Sequence, residues 1–291
     1  MKRLTDTVEV ELGLRGSNHG LVTTSDGLVL IDGPHKPSDT LRLKAEIERR
    51  GTPLRYILNT EPHGDHWTSN AYFDAPVVAH AGVRERILST DMPAMIQRVG
   101  TFGPDESRLL EGYRPNAPVI TFDRELTLHV GNHTFRLIHM PGHTTAQAAI
   151  VVENDGVVFT SDNVFCKCHT WLQEADPVAW LTALDSLRTL GFETLVPGHG
   201  PVCDTRYLAE QGAFIQEWVD YVRRAVDKGT TKEDAVASLT AMTDRYPMDV
   251  EQDGMAPMVM KMNVANLYDY VTGAGIHGGA GARPDARARR A

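Results

Sequence analysis

The sequence predicts an α/β protein built as two mixed β-sheets stacked face to face with helices over both outer faces, and three observations support this. Short apolar runs separated by turn residues open the chain and recur in its middle. Strand-helix units lie between these hairpins. Histidines and aspartates follow the ends of several separate strands, as expected where a rigid sheet aims loop side chains at one point.

Taken in order, residues 8–12, 20–24 and 28–32 read as strands, the last two joined across Ser25-Asp26-Gly27. Ser38 reads as the N-cap of a helix through Arg50, with Leu43 and Ile47 on one face and Gly51 at its stop. Residues 55–59 form a strand that runs into the densest polar cluster of the chain. Residues 77–80 are a further strand, and 81–111 are largely helical with a break near 100–104. Two hairpins follow, 126–130 with 134–140 across Gly131-Asn132, and 147–153 with 157–161 across Asn154-Asp155-Gly156. Asp176-Pro177 carries the signature of a helix start running to Leu190, and 194–196 are a last short strand. Beyond Arg206 only helices are expected, over 206–227, 231–245 and 257–271. Residues 273–291, rich in Gly, Ala and Arg without apolar periodicity, read as a disordered tail. The expected division is therefore a sandwich domain over 1–204, a helical extension over 205–272, and the tail over 273–291.

Composition narrows the function. With 291 residues, 42% hydrophobic and 23% charged, the chain has ordinary globular make-up. Its net charge of −9 lacks the clustered excess of Lys and Arg that neutralises phosphates, so nucleic acid is not an expected partner. No window reaches the ~18 apolar residues of a membrane span. Lys2 and Arg3 have no apolar run behind them and do not read as a secretory signal, which makes the cytoplasm the expected compartment. The expected partner is a small-molecule substrate. Cys166, Cys168 and Cys203 are an odd number, with Cys-Lys-Cys too tight for a zinc hook, and read as buried free thiols.

The chemistry lies in Thr60-Glu61-Pro62-His63-Gly64-Asp65-His66, directly after a strand. Three ligand-type side chains within four residues suit zinc, iron or manganese, although this stretch alone could be a loop of solvated histidines. The rest of the chain decides. Pro141-Gly142-His143-Thr144, Ser161-Asp162 and Pro197-Gly198-His199-Gly200 each follow a predicted strand and each offers a His or an Asp.

On these residues the chain resembles the metallo-β-lactamase superfamily, whose motifs run HxHxDH, a His in a Pro-Gly-His-Thr-like turn, a bridging Asp, and a His in a Gly-His-Gly-like turn. The resemblance covers about residues 7–203, including Leu30-Ile31-Asp32-Gly33. It implies that family's four-layer αββα sandwich and two divalent metal ions, with zinc the first expectation. His63 and His143 would belong to the first ion, Asp65, His66 and His199 to the second, and Asp162 to both. Two such ions about 3.5 Å apart share a hydroxide and polarise a carbonyl or phosphoryl oxygen. The resemblance thus implies a glyoxalase II-like or lactonase-like hydrolase of a small ester, lactone, thioester or related carbonyl bond. Asp65 would orient the hydroxide and relay a proton, and Asp162 would hold the centre together.

Glu61 departs from the pattern, which has His there. As a ligand it would make the first site harder and lower the net charge of the centre by one unit, favouring iron or manganese over zinc. Held instead as a hydrogen-bonding neighbour, it would leave only His63 and His143 at that site, and the centre would be effectively mononuclear at Asp65, His66 and His199. Glu61 also motivates a competing reading, a di-iron oxygen-dependent enzyme on the same fold. A β-lactam hydrolase is a further alternative, disfavoured by the lack of a signal sequence. A binding module with a degraded site is disfavoured by six matching ligand positions out of seven.

Secondary candidates can be read as well. Asp32 supports the metal loop or caps a strand, His139 packs beside the site, and His19 and His35 face the substrate or only a loop. The insert between Ala81 and Pro118, with Met92, Met95, Ile96, Phe102 and Tyr113, reads as a lid or a packed helix pair. Asn163, Phe165, His169 and Trp171 line the pocket or pack behind it. The stripe Met255, Met258, Met260, Met262 reads as core or homodimer contact rather than a cofactor site.

Overall fold

Burial along the strands sets the layers. The computed structural model describes residues 1–238, 246–252 and 254–274. The first sheet carries seven strands side by side in chain order: β1 (Lys2–Arg3), β2 (Val8–Glu11), β3 (His19–Thr24), β4 (Gly27–Ile31), β5 (Leu54–Leu58), β6 (Val77–His80) and β7 (Ile120–Phe122). Neighbours pair antiparallel as far as β4 and parallel from there on. The second sheet holds β8 (Glu125–Val130), β9 (His133–His139), β10 (Ala148–Val152), β11 (Val157–Phe165) and β12 (Thr194–His199). Its first four strands form an antiparallel meander, and β12 joins β11 in parallel. β2 and β9 largely alternate between buried and half-buried residues, whereas β10 and β11 are buried throughout because both of their faces are covered.

The α-helices among the described residues are α1 (Pro37–Arg50), α2 (Gly64–Trp67), α3 (Ala81–Ser89), α4 (Met92–Gly100), α5 (Glu106–Leu109), α6 (Pro177–Thr189), α7 (Tyr207–Asp227), α8 (Lys232–Ser238) and α9 (Ala256–Thr272), with one 3-10 helix over Thr68–Tyr72. Between the sheets, Val29, Ile31 and Leu58 meet Phe135, Leu137 and Phe159. Outside the first sheet, Leu43 and Ile47 of α1 cover Leu28, Leu30 and Ile57. Outside the second, Trp180 of α6, Trp218 of α7 and Leu267 of α9 join the cluster that holds Ala149, Val151 and Val158. The result is the expected αββα sandwich. Each fully buried Leu, Ile or Phe in these clusters is worth about 1.5–3 kcal/mol relative to exposure.

The structure corrects several local expectations. Helix α1 starts at Pro37 with Lys36 in the capping position, and Ser38 lies inside the first turn with its N–H donated to Glu106 Oε2 (3.0 Å). Strand β7 is too short for any alternation to be read from sequence. The insert folds into three helices, α3 to α5, with Met95 and Val99 packed on Trp67 and Ala79. Strand β11 runs on through Phe165, so Asp162 lies inside a strand and not after one. The helix expected over 231–245 is present from Lys232 to Ser238, and the expectations for 239–245 and for the tail beyond residue 274 fall outside the described residues.

At one end the sheets are tied together. Ala148 N donates to the Thr60 carbonyl (2.7 Å), Asn18 N to the Gly198 carbonyl (2.7 Å), and Ser161 Oγ pairs with Thr60 Oγ1 (2.8 Å). These ties bring together β3, β5, β10, β11 and β12.

Two buried histidines give the fold an acid limit. Burial pushes His19 down to about 3 and His169 down to about 4. Both are neutral in the folded chain and take up a proton in the unfolded one once the pH falls below about 6.5. Their contribution is therefore complete above pH 6.5 and is lost as the pH drops toward 4. In urea melts of metal-free protein between pH 7 and 5, His169 should contribute a loss of stability of up to about 1.4 kcal/mol per pH unit. His169→Gln should remove that share of the slope, and an unchanged slope would contradict the assignment.

Candidate metal centre

The two Pro-Gly-His turns need glycine for a steric reason. A methyl group on Gly198 would overlap Asp162 Oδ1, and one on Gly142 would overlap Asn163 Oδ1 and lie 2.9 Å from Trp180. The backbone thus passes close enough for His199 and His143 to reach Asp162 from either side. Two non-glycine residues at the same end, Asp32 and Ser161, adopt φ of 53° and 54°. Left-handed backbone at such residues is strained and persists where the surroundings fix it.

All seven candidate ligands converge. Glu61, His63, His143 and Asp162 present one donor atom each within 4.8 Å of one another, and Asp65, His66 and His199 do the same. Asp162 stands between the groups: Oδ1 is 3.3 Å from His66 Nε2, and Oδ2 is 3.6 Å from His143 Nε2 and 3.3 Å from His199 Nε2. Glu61 is fully buried, with Oε1 2.8 Å from His63 Nδ1 and 3.2 Å from His66 Nε2. Its carboxylate therefore sits within the donor set and not behind it. His199 Nε2 lies 3.5 Å from Asp65 Oδ2.

Each imidazole is held from behind. His66 Nδ1 meets Asp32 Oδ2 at 3.0 Å, while Asp32 also accepts from Thr60 N (2.9 Å) and Thr60 Oγ1 (2.6 Å). Asp32 is thus the support for the loop. His143 Nδ1 pairs with the Trp171 carbonyl at 2.8 Å, and His199 Nδ1 with Asp249 Oδ2 at 2.7 Å. Such partners fix the ring orientation and leave the other nitrogen toward the centre.

The donor set fits a cation. His66 Nε2 and Asp162 Oδ1 are buried without a hydrogen-bond partner although they face each other, which is how ligand atoms stand around an ion. Burial opposes charging of His63, but Glu61 and Glu174 outweigh it and hold the ring up near pKa 10. His199 is raised well above the usual range against its burial by Asp162, Asp249 and Asp65, and Asp162 is held well below its usual range against its own burial by His199 and His66. The carboxylates demand positive charge in this pocket, and metal ions would meet that demand in place of protons.

Above the cluster opens a cavity of about 520 Å³. His35, Arg98, Thr101 and Phe102 form part of its wall, so the insert does reach the pocket. Trp171 lines it too, whereas Phe165 stacks on His199 at 5.0 Å and Asn163 braces the turn at His143 from beneath. His169 packs away from it against Trp218, and His19 lines a different cleft. His139 stacks on His80 at 4.2 Å as a packed neighbour. The methionine stripe divides: Met260 is buried among the helices, while Met255, Met258 and Met262 face the cavity. Cys166 and Cys168 are buried and Cys203 is half-buried, and all three are free thiols. Asp249, Glu174, Arg15 and Gln252 carry no signal in the sequence, since none belongs to a local motif.

Comparison with known proteins follows the same pattern. The family model described as the metallo-beta-lactamase superfamily matches residues 12–199. The lactamase-like protein aptB of Emericella nidulans is 26% identical over 194 residues, covering 66% of this chain and 53% of its own length. A hydroxyacylglutathione hydrolase of Methylococcus capsulatus is 29% identical over 154 residues, covering 52% of this chain and 49% of its own. The chain thus spans about half the length of these curated relatives. A metallo-beta-lactamase family protein from Thermus thermophilus has the same fold, with a TM-score of 0.68, 17% identity, and coverage of 94% of this chain and 96% of that one. No helix among the described residues is long and apolar enough to cross a membrane.

Two measurements check the centre. Metal analysis of protein grown in mixed metals should find more iron or manganese relative to zinc in wild type than in Glu61→His, and identical content and identity would remove Glu61 from the site. Asp249→Asn should weaken metal retention in a chelator competition by roughly 10- to 100-fold. Retention equal to wild type would leave Asp249 without a part in holding His199.

Proposed function

This chain belongs to the metallo-β-lactamase superfamily, and we propose that it is a metal-dependent hydrolase of a small-molecule ester, lactone or thioester. One observation carries the reading. The cavity wall contains no serine or cysteine among the described residues, and its one hydroxyl, Thr101, is turned back onto the Arg98 carbonyl (2.6 Å). What the cavity floor does offer is a buried cluster of imidazoles and carboxylates, suited to activating water rather than to forming a covalent adduct.

Divalent ions bound by this cluster would supply Lewis acidity and bring the pKa of a water down toward neutrality. Glu61, His63, His143 and Asp162 would hold one ion and Asp65, His66 and His199 the other, with Asp162 shared. Zinc is the first candidate, and Glu61 favours iron or manganese at the first position. Asp65 is the least buried carboxylate of the set and lines the cavity, while its backbone carbonyl accepts from Ser17 Oγ (2.8 Å). It orients the attacking water and receives its proton at Oδ1 or Oδ2, then passes it to the leaving oxygen or sulfur. Trp171 and the cavity-facing methionines keep bulk water from the scissile bond. The likeness to a hydroxyacylglutathione hydrolase supports thioester and ester chemistry over phosphodiester cleavage.

A panel of lactones, thioesters, β-lactams and phosphodiesters tests the reading with metal-loaded protein. Turnover of a carbonyl substrate is expected, abolished by chelation and restored by metal, and Asp65→Asn should lower kcat by roughly 10²–10⁴-fold. Hydrolysis of phosphodiesters alone would overturn it. Substrate-dependent oxygen uptake by the ferrous protein would replace it with an oxidative function.

A further inference from the structure

The cavity lining is of two kinds. Trp171, Met255, Met258 and Met262 give an aromatic and thioether surface. Two guanidinium groups arrive from distant parts of the chain, Arg15 from the loop between β2 and β3, beside Met255, and Arg98 from α4.

Both are close to the reacting centre. A methyl group built on Gly64, between His63 and Asp65, would stand 3.7 Å from Arg98 Nη2. One built on Gly16, next to Arg15, would stand 3.0 Å from Asp65 Cβ. Arg15 lies over the Phe102 ring at 4.1 Å, and Phe102 is met edge-on by His35 at 4.8 Å, so the guanidinium plane is set by stacking. Its hydrogen-bond acceptors are uncharged, the Glu251 carbonyl and Met255 Sδ, and its Nε is buried with no partner. Neither Arg15 nor Arg98 makes an ion pair among the described residues, in a chain whose net charge is −9. Of the cavity carboxylates, Glu174 is engaged by Arg86 and His63, and Asp65 and Asp162 face His199.

Arg15 is half-buried with its Nε unpartnered, and Arg98 reaches the same cavity from the exposed side of α4; a buried donor without a partner is costly unless a ligand completes it. The fork of donors on a stacked guanidinium matches a carboxylate in two-point geometry. We propose that Arg15 and Arg98 form the specificity site for a carboxylate-bearing substrate, whose apolar body lies against Trp171 and the three methionines while its ester or thioester carbonyl reaches the centre. The substrate class is an acidic, partly apolar acyl compound. This rests on the hydrolase reading only for the bond that is cut, since recognition of the carboxylate stands on the two arginines alone.

The test uses a matched pair of thioesters, one ending in a carboxylate and the other in the neutral carboxamide, together with the corresponding non-hydrolysable thioethers. Metal-loaded wild type should bind the thioether acid more tightly than the amide, and Arg15→Gln or Arg98→Gln should each shrink that preference roughly tenfold, the scale of a lost charge-assisted hydrogen bond. In hydrolysis the same preference should appear in KM far more than in kcat. Equal binding of acid and amide by wild type would overturn the proposal. So would a preference that survives in the double variant, because the carboxylate would then be held elsewhere, on the metal ions for instance. If neither thioester is cleaved while the arginine-dependent binding preference is observed, the hydrolase reading fails and the carboxylate site stands.

Discussion

Everything at the active end of this molecule follows from placing Glu61 and Asp162 side by side where water cannot reach them. Glu61 is fully buried and Asp162 is 3% exposed. An isolated carboxylate in such a place costs several kcal/mol, and two costs more unless positive charge lies between them. Four imidazoles surround them, and each brings a bracing group of its own: Asp32, Glu174, the Trp171 carbonyl or Asp249. The bracing draws in the sheets. Thr60, which donates twice to Asp32, also bonds across to Ser161 in the other sheet and accepts from Ala148, so charge balance and sheet alignment are one problem solved by the same residues.

That coupling explains which features can be read from the sequence. A backbone that must pass against Asp162 or Asn163 excludes any side chain, so Gly142 and Gly198 are forced, and the histidines that follow them become visible as Pro-Gly-His. The loop from Glu61 to His66 is visible because its donors are consecutive. The sandwich is visible because apolar runs of strand length alternate with turn residues and with helices of period 3.6. In each case the constraint acts within a few residues of chain.

What could not be read is set by contacts between distant residues. Asp249 meets His199 across 50 positions, and nothing about its own neighbours marks it. Arg98 looks like an ordinary solvated position on an amphipathic helix, and Arg15 like a loop cation, until the insert and the β2–β3 loop are seen to meet over Gly64 and Gly16. The continuation of β11 was hidden for a different reason. Ser161, Asp162 and Asn163 break the apolar run and imitate a strand end, yet all three are buried, because their polar atoms are taken up by Thr60, by the histidines and by the turn at His143. The stripe of methionines posed a third kind of ambiguity. Its spacing specifies a helix, but one helix carries Met260 into the core and turns Met258 and Met262 toward the cavity, with Met255 joining them from just ahead of its first turn.

The short stretch around Asp249 joins the two halves of the site. Asp249 orients His199, Glu251 offers its carbonyl to Arg15 and its carboxylate to Lys36 (3.1 Å), and Gln252 and Met255 line the cavity. A residue that touches the candidate ligands and one that touches the specificity arginine are therefore two positions apart on the same backbone. A shift of that backbone moves His199 and Arg15 together. The geometry of the centre and the fit of the substrate are then not independent variables in this chain, and a helical extension that adds no ligand still governs how the ligands are held.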